Sequence, residues 1–488
     1  MDKVQQALIG QILAQLESIV SSIFFNRVHA AEWLQQGYGL ESDVSRKTAG
    51  RLERTLQCFT IEISDLTFPE PDNSEALPVY GNILRKLKRI RFKNCSFGGK
   101  ELSLPGVTQW FENCSFRGGW VVHCTACNHG YTEPNDLLFD GCDFNGDVLI
   151  ADKFTDETSL KQYSCLFWNC SVETLNLYGI SLNTRLWSTY DGLFKEQPKL
   201  NNLSLLSVRS SRALELGCQT FSKIQIASSE VAGINLHGGK VRHLSVSDTE
   251  CRGACSLEKA EIGNVQFSDS TFERPVNLSR MNAGYLDIKR VDFEKVLACN
   301  EVTITRGITL RSVRHAVAPD FVDMNLSAEA KADTDRETFR LIKHSFEAVA
   351  NRIEANRFFG LEMEAYRREL REQQPWHSRE RVLVAFNHAV SRHGQSYSRP
   401  LFLLLLTAAV NAWMITNNGW QVPEEFVNEA VQANLQAISD ALNNFARGFT
   451  LARPVMHPSM EFASLVLALL MSTFLWHFLV AVRRFRRG

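Results

Sequence analysis

Residues 264–282, NVQFSDSTFERPVNLSRMN, fall on residues 243–261, HLSVSDTECRGACSLEKAE, with a constant offset of 21. Phe267 lands on Val246, Asp269 on Asp248, Phe272 on Cys251, Val276 on Cys255 and Leu278 on Leu257. The letters are loose and the spacing is tight. Forward, YLDIKRVDF puts Ile288 and Phe293 another 21 residues on; backward, KIQIASSEV supplies Ile226 and Val231, 20 residues before Val246 and Cys251. The same five-residue step between apolar positions recurs in RFKNCSF (Phe92, Phe97), WFENCSF (Phe111, Phe116), LLFDGCDF (Phe139, Phe144) and LFWNCSV (Phe167, Val172).

A fixed period of about 20 residues marks a solenoid, in which each unit buries its apolar face only by stacking on its neighbours. Short alternating strings such as GINL, VNL and TLNL make the units strands rather than helices. Spacing is held because each inward residue must meet its counterpart one coil away, about 4.8 Å along the axis, whereas outward residues can vary. The pairs five apart resemble those of the pentapeptide-repeat proteins, as do Cys95 and Cys114, small residues two before Phe97 and Phe116. That resemblance implies a right-handed four-sided β-helix with an inward Phe or Leu at the centre of each side; a general right-handed parallel β-helix is the broader class with the same period. The fold expected is therefore a mainly β solenoid over residues 56–325. Residues 58–310 would give roughly 12 coils, on the order of 60 Å.

An open solenoid end needs a cap, and residues 1–55, with Leu8, Ile12, Leu16, Ile19 and Ile23 on one helical stripe, are the candidate. From Cys95 to Cys114 is 19 residues, but Cys114 to Cys142 and Cys142 to Cys170 are each 28. The extra residues should loop out around 117–165, in VHCTACNHGYTEPND and ADKFTDETSLKQ, and form a binding face.

Beyond the solenoid the period turns helical. A neck over 326–395 opens on a capping box, Thr334 to Glu337, followed by Phe339, Ile342, Phe346, Val349 and Ile353, with a break expected near Asn351 or Gly360. Residues 396–488 hold two apolar runs, 400–416 and 462–482. Arg392 and Arg399 precede the first; Arg483, Arg484, Arg486 and Arg487 follow the second. By the positive-inside rule a two-helix transmembrane hairpin would keep both termini in the cytoplasm and leave 417–459, with its amphipathic segment, outside. The neck, SYSRPL at 396–401 and the ending FLWHFLVAVRRFRRG resemble the C-terminal module of bacterial membrane-bound pentapeptide-repeat proteins. That resemblance implies an inner-membrane location and carries no catalytic residues. Asn411 and His477 are the polar groups within the two runs, either functional or joined in helix-to-helix hydrogen bonds.

Charge and chemistry exclude more than they assign. The 488 residues carry 53 Lys+Arg against 54 Asp+Glu, which gives no case for nucleic acid as a partner. The 12 cysteines suit a reducing compartment. His123, Cys124, Cys127 and His129 have zinc-like letters, but a single CxxC is weak evidence for a metal, and no cofactor is expected. Asp248 and Asp269, one period apart, could form an outward ladder like that of a carbohydrate-active β-helix, although like charges at that spacing repel. No filter of the TVGYG kind lies in 417–459, so a selective potassium pore is not expected. The expectation is a non-catalytic membrane protein whose cytoplasmic solenoid binds a protein partner or ligand, anchored in the lipid bilayer as a homo-oligomer. An oligomeric, channel-like effector that permeabilises the bilayer in stress or phage defence is one alternative; a β-helix enzyme is another.

Overall fold

A computed structural model describes residues 3–24, 59–70, 79–85, 87–100, 102, 104, 107–123, 137–151, 165–182, 185–187, 199–217, 219–416, 437–438, 440–443 and 461–486. The chain divides into two compact units, Met1–Asp333 and Thr334–Gly488.

In the first unit, strands pair in parallel one coil apart. Val246 is opposite Phe267 and Phe267 opposite Ile288; Cys251 is opposite Phe272 and Phe272 opposite Phe293. The 21-residue step is therefore the register of the sheets, a β-solenoid-like arrangement. Among the described residues the strands form sheets of 14, seven, six and five members. One coil turns inward at four pairs of residues two apart: Val265 and Phe267, Ser270 and Phe272, Val276 and Leu278, Met281 and Ala283. Every one of these is buried, so the four pairs together fill the section of the coil. Phe92, Phe97, Phe111, Phe116, Phe139, Phe144, Phe267, Phe272, Ile288 and Phe293 are all buried too. Their rings stack along the axis, with Phe97 on Phe116 at 5.1 Å and Phe116 on Phe144 at 4.5 Å.

The coil corners need a left-handed residue, and the sequence supplies one at each turn. Asp65, Asn94, Asn113, Gly141 and Asn169 at one corner, and Ser207, Ser228, Asp248, Asp269 and Arg290 at another, all have φ between 47° and 61°. Asn, Asp and Gly tolerate this conformation best. Asp248 and Asp269 are neighbours in the second of these columns, and each carboxylate takes a donor of its own. Asp248 accepts from the Ser228 hydroxyl at 2.9 Å, while both Asp269 oxygens accept from Arg290 at 2.5 and 2.8 Å. The Arg290 guanidinium holds the Asp269 carboxyl below its usual range.

Helix α1 (Lys3–Phe24) buries Leu8, Ile12 and Leu16 and packs on the first strand, Ile61–Ser64, and on the short helix α2 (Val79–Leu84). The Gln15 amide donates to the Ser64 carbonyl at 2.7 Å and accepts from the Ser64 N–H at 3.1 Å, standing where another strand would pair.

Helix α3 (Ala328–Asp333) closes the first unit; α4 (Arg336–Ala348), α5 (Arg352–Gln373), α6 (Arg379–Ser391), α7 (Ser398–Thr416) and α8 (Glu461–Arg486) make up the second. The N-cap of α4 is Asp335, which accepts from the Thr338 N–H, rather than Thr334, which is buried ahead of it. The break between α4 and α5 comes at 349–351, where Ala350 is left-handed and Asn351 caps α5; the helix runs straight through Gly360. Val349 and Ile353, expected on the buried stripe, are therefore exposed at that turn, while Phe339, Ile342 and Phe346 are buried, with Phe358 of α5 stacked on Phe346 at 5.5 Å. By length and composition Glu461–Arg483 can cross a membrane; Ser398–Trp413 is a shorter apolar stretch, and α7 and α8 pack together.

All eight described cysteines are buried. Cys95, Cys114, Cys142 and Cys170 form a column in which each thiol donates to a carbonyl of the preceding coil, at Ile63, Phe92, Phe111 and Phe139. At another corner Ser229, Thr249 and Ser270 form a separate column, each hydroxyl donating to the carbonyl two residues before it. Burial pushes the Cys251 thiol up to about 11 and Cys165 up to about 12, and raises Cys142, Cys255 and Cys299 as well. Because the thiolate is the reactive form, these five are expected to resist iodoacetamide at pH 8 in the folded protein and to react in urea. Peptide mapping by mass spectrometry reads this directly, and rapid native alkylation of Cys251 would contradict it.

Candidate functional site

The loops at 122–136 and 151–162 lie almost wholly outside the described residues, as do Cys124, Cys127, His129 and Arg487. His123 ends the strand Trp120–His123, and nothing is described of its side chain. Among the described residues no group of three or more His, Cys, Asp or Glu is placed to hold a metal. Asn411 is half-exposed on α7, while His477 of α8 lies 3.5 Å from the Ser391 hydroxyl of α6 and 6.3 Å from the Phe386 ring. Arg483 is exposed at the end of the apolar run, and α8 continues past Arg484 to Arg486.

A polar site among the described residues lies elsewhere, on the outward face of the long sheet. Successive coils place His243, Asn264 and Tyr285 in one column and Ser245, Gln266, Asp287 and Thr309 in the next. Parallel pairing with alternating side chains makes such columns unavoidable: once inward residues are locked, outward ones line up at coil spacing. The Asn264 amide reaches His243 Nδ1 at 3.2 Å.

At the last coils the ladder is broken by a bulge. Ala283 pairs with Ile304 and Tyr285 with Gly307, so Thr305 and Arg306 face Gly284 alone. A bulge re-aims side chains, and here it sends Arg306 back across Gly284 to donate to the Gly263 carbonyl at 2.7 Å and to Asn264 Oδ1. A Cβ on Gly284 would come within 2.5 Å of the Arg306 guanidinium, and one on Gly307 within 2.6 Å of the Tyr285 ring. Both glycines clear the floor of a cavity of about 650 Å³, walled on its other side by Glu329, Ala332 and Asp333 of α3. Tyr285 is fixed by a 2.7 Å hydrogen bond between its hydroxyl and that of Thr309. Asp287 Oδ2 accepts from Lys289 at 2.6 Å, while its buried Oδ1 has no hydrogen-bond partner among the described residues.

The cavity thus offers an aromatic ring, a guanidinium, two amides and three carboxylates, a set suited to a ligand rich in hydroxyl or amino donors. None of these residues was singled out by the sequence reading. The available signal was the period itself, which stretches from 21 residues (Phe267 to Ile288) to 22 (Ile288 to Leu310) where the bulge inserts. Compared with protein-family models, with curated proteins and with solved structures, the chain matches none.

Proposed function

We propose that the chain is a non-catalytic membrane protein whose solenoid binds a polar ligand or protein segment on its outward face and is anchored by α7 and α8 as a two-span hairpin. The observation that carries this reading is the cavity beneath α3, with Asp287 Oδ1 unpartnered among the described residues, in the same chain as an apolar helix long enough to span a bilayer. Four inward pairs per coil support placing the solenoid with the pentapeptide-repeat kind. The arginines from Arg483 onward support an inner-membrane topology with solenoid and C-terminus in the cytoplasm. Helix α7 has 19 residues, ~28 Å at 1.5 Å per residue, which supports a second span across a ~30 Å hydrocarbon core.

The test pairs two carboxylates of different standing. Full-length protein in detergent is probed against arrays of peptides and oligosaccharides, alongside Asp287→Asn and Asp269→Asn. Binding should weaken roughly 10- to 100-fold in Asp287→Asn, the worth of a charge-assisted hydrogen bond, and stay unchanged in Asp269→Asn, whose carboxylate is already held by Arg290. Equal loss in both variants, or extraction of the wild-type protein from membranes by alkaline carbonate, would overturn the reading.

A further inference from the structure

Helix α6 carries its apolar stripe on the wrong side for a water-soluble domain. Val382, Leu383 and Phe386, at helical steps of one and three, are exposed, Leu383 to 67%; Trp376, just ahead of the helix, is exposed to 78%. The stripe does not stand alone. Phe386 lies 6.3 Å from His477 of α8, whose neighbours Trp476 and Leu479 are themselves exposed, so the apolar surface runs from one helix onto the other.

We infer that α6 is an interfacial helix, embedded in the headgroup and acyl boundary of the bilayer beside the end of α8. This rests on the reading that α8 crosses the membrane, and goes beyond it by assigning the lipid surface a third helix. Depth is the first argument. His477 precedes Arg483 by six residues, ~9 Å of helix. If Arg483 marks the charged edge of the bilayer, Phe386 sits about 9 Å inside it, within the 5–10 Å to which interfacial helices bury their apolar faces. Charge is the second. Between Trp376 and Arg399 stand four arginines, Arg379, Arg381, Arg392 and Arg399, against one acid, Glu380, a net of +3. Glu380 is held by the Tyr366 hydroxyl and by the Gln374 amide, so the arginines keep their net excess. An apolar stripe between arginines, with a tryptophan at its edge, is the composition that anionic headgroups hold at a membrane surface.

The experiment places a photoreactive benzoylphenylalanine at Leu383 or Phe386 in the full-length protein, reconstituted in vesicles containing anionic lipid, and reads adducts by mass spectrometry. Leu469, exposed on α8, serves as the span control, and Val317, exposed on the solenoid unit, as the aqueous control. The expected result is lipid adducts at 383 and 386 comparable with those at 469 and at least roughly tenfold above those at 317. Adducts at 469 but not at 383 or 386 overturn the interfacial helix and leave the span intact. Protein-to-protein adducts at 383 and 386 overturn it in favour of a second copy of the chain. Loss of lipid adducts at 469 overturns the membrane reading itself.

Discussion

Phe116→Ala is expected to destabilise the solenoid by about 3–5 kcal/mol, the range for a fully buried phenylalanine truncated to alanine. The ring has no exposed surface. It lies flat between Phe97 and Phe144, with interplanar angles of 10° and 4°, and meets Phe111, Phe139 and Trp120 at steeper angles between 4.5 and 5.8 Å. Collapse cannot fill the gap, because each neighbour is fixed by its own coil. Phe116→Leu keeps most of the volume and should cost only about 1–1.5 kcal/mol. Urea unfolding gives the two magnitudes; hydrogen exchange gives the location. Since each coil contacts only its neighbours, protection should fall first in the strands at 96–97, 115–116 and 143–144, and last in the coils after 240. Uniform loss of protection along the whole solenoid would show that the unit unfolds as one block.

The part of the fold that was legible in the sequence is the part set by stacking. Phe267, Phe272, Ile288 and Phe293 repeat because inward side chains must meet their counterparts, and the register of the sheets returns the same intervals. The corner columns were harder to see, since Asn94 and Gly141 at one corner, and Ser228 and Arg290 at another, share a backbone angle but no side-chain chemistry. The cavity was hidden for a related reason. It depends on a single extra residue near Arg306 and on the clearance left by Gly284 and Gly307, features of shape that leave only a one-residue change in spacing. Val349 and Ile353 mark the opposite failure. Their helical spacing was real, but a left-handed Ala350 between them ends one helix and starts another, so periodicity ran across a boundary it could not detect.

Glu362→Ala should have an effect as large as that of the solenoid core, through electrostatics in place of packing. Lys343 of α4 and Glu362 of α5 form a 2.8 Å ion pair with side chains only 13% and 8% exposed. Neither charge is well hydrated, so each depends on the other. Removing Glu362 leaves the Lys343 ammonium buried beside the Phe359 ring, 5.6 Å away, with a cost of about 3–5 kcal/mol. Removing both charges is a different matter. Lys343→Met combined with Glu362→Leu gives up the mutual attraction together with two desolvation penalties, and is expected to be neutral or stabilising by about 1–4 kcal/mol. Thermal unfolding of the full-length protein and its two variants distinguishes the cases, because the double variant should melt at or above the wild type while the single variant melts well below it. If instead the double variant falls as far as Glu362→Ala, the pair contributes packing volume around Phe358 and Phe339 that leucine and methionine do not reproduce. The charges would then be incidental to the hairpin, and its stability would follow the same rule as the solenoid: shape first, with polarity accommodated around it.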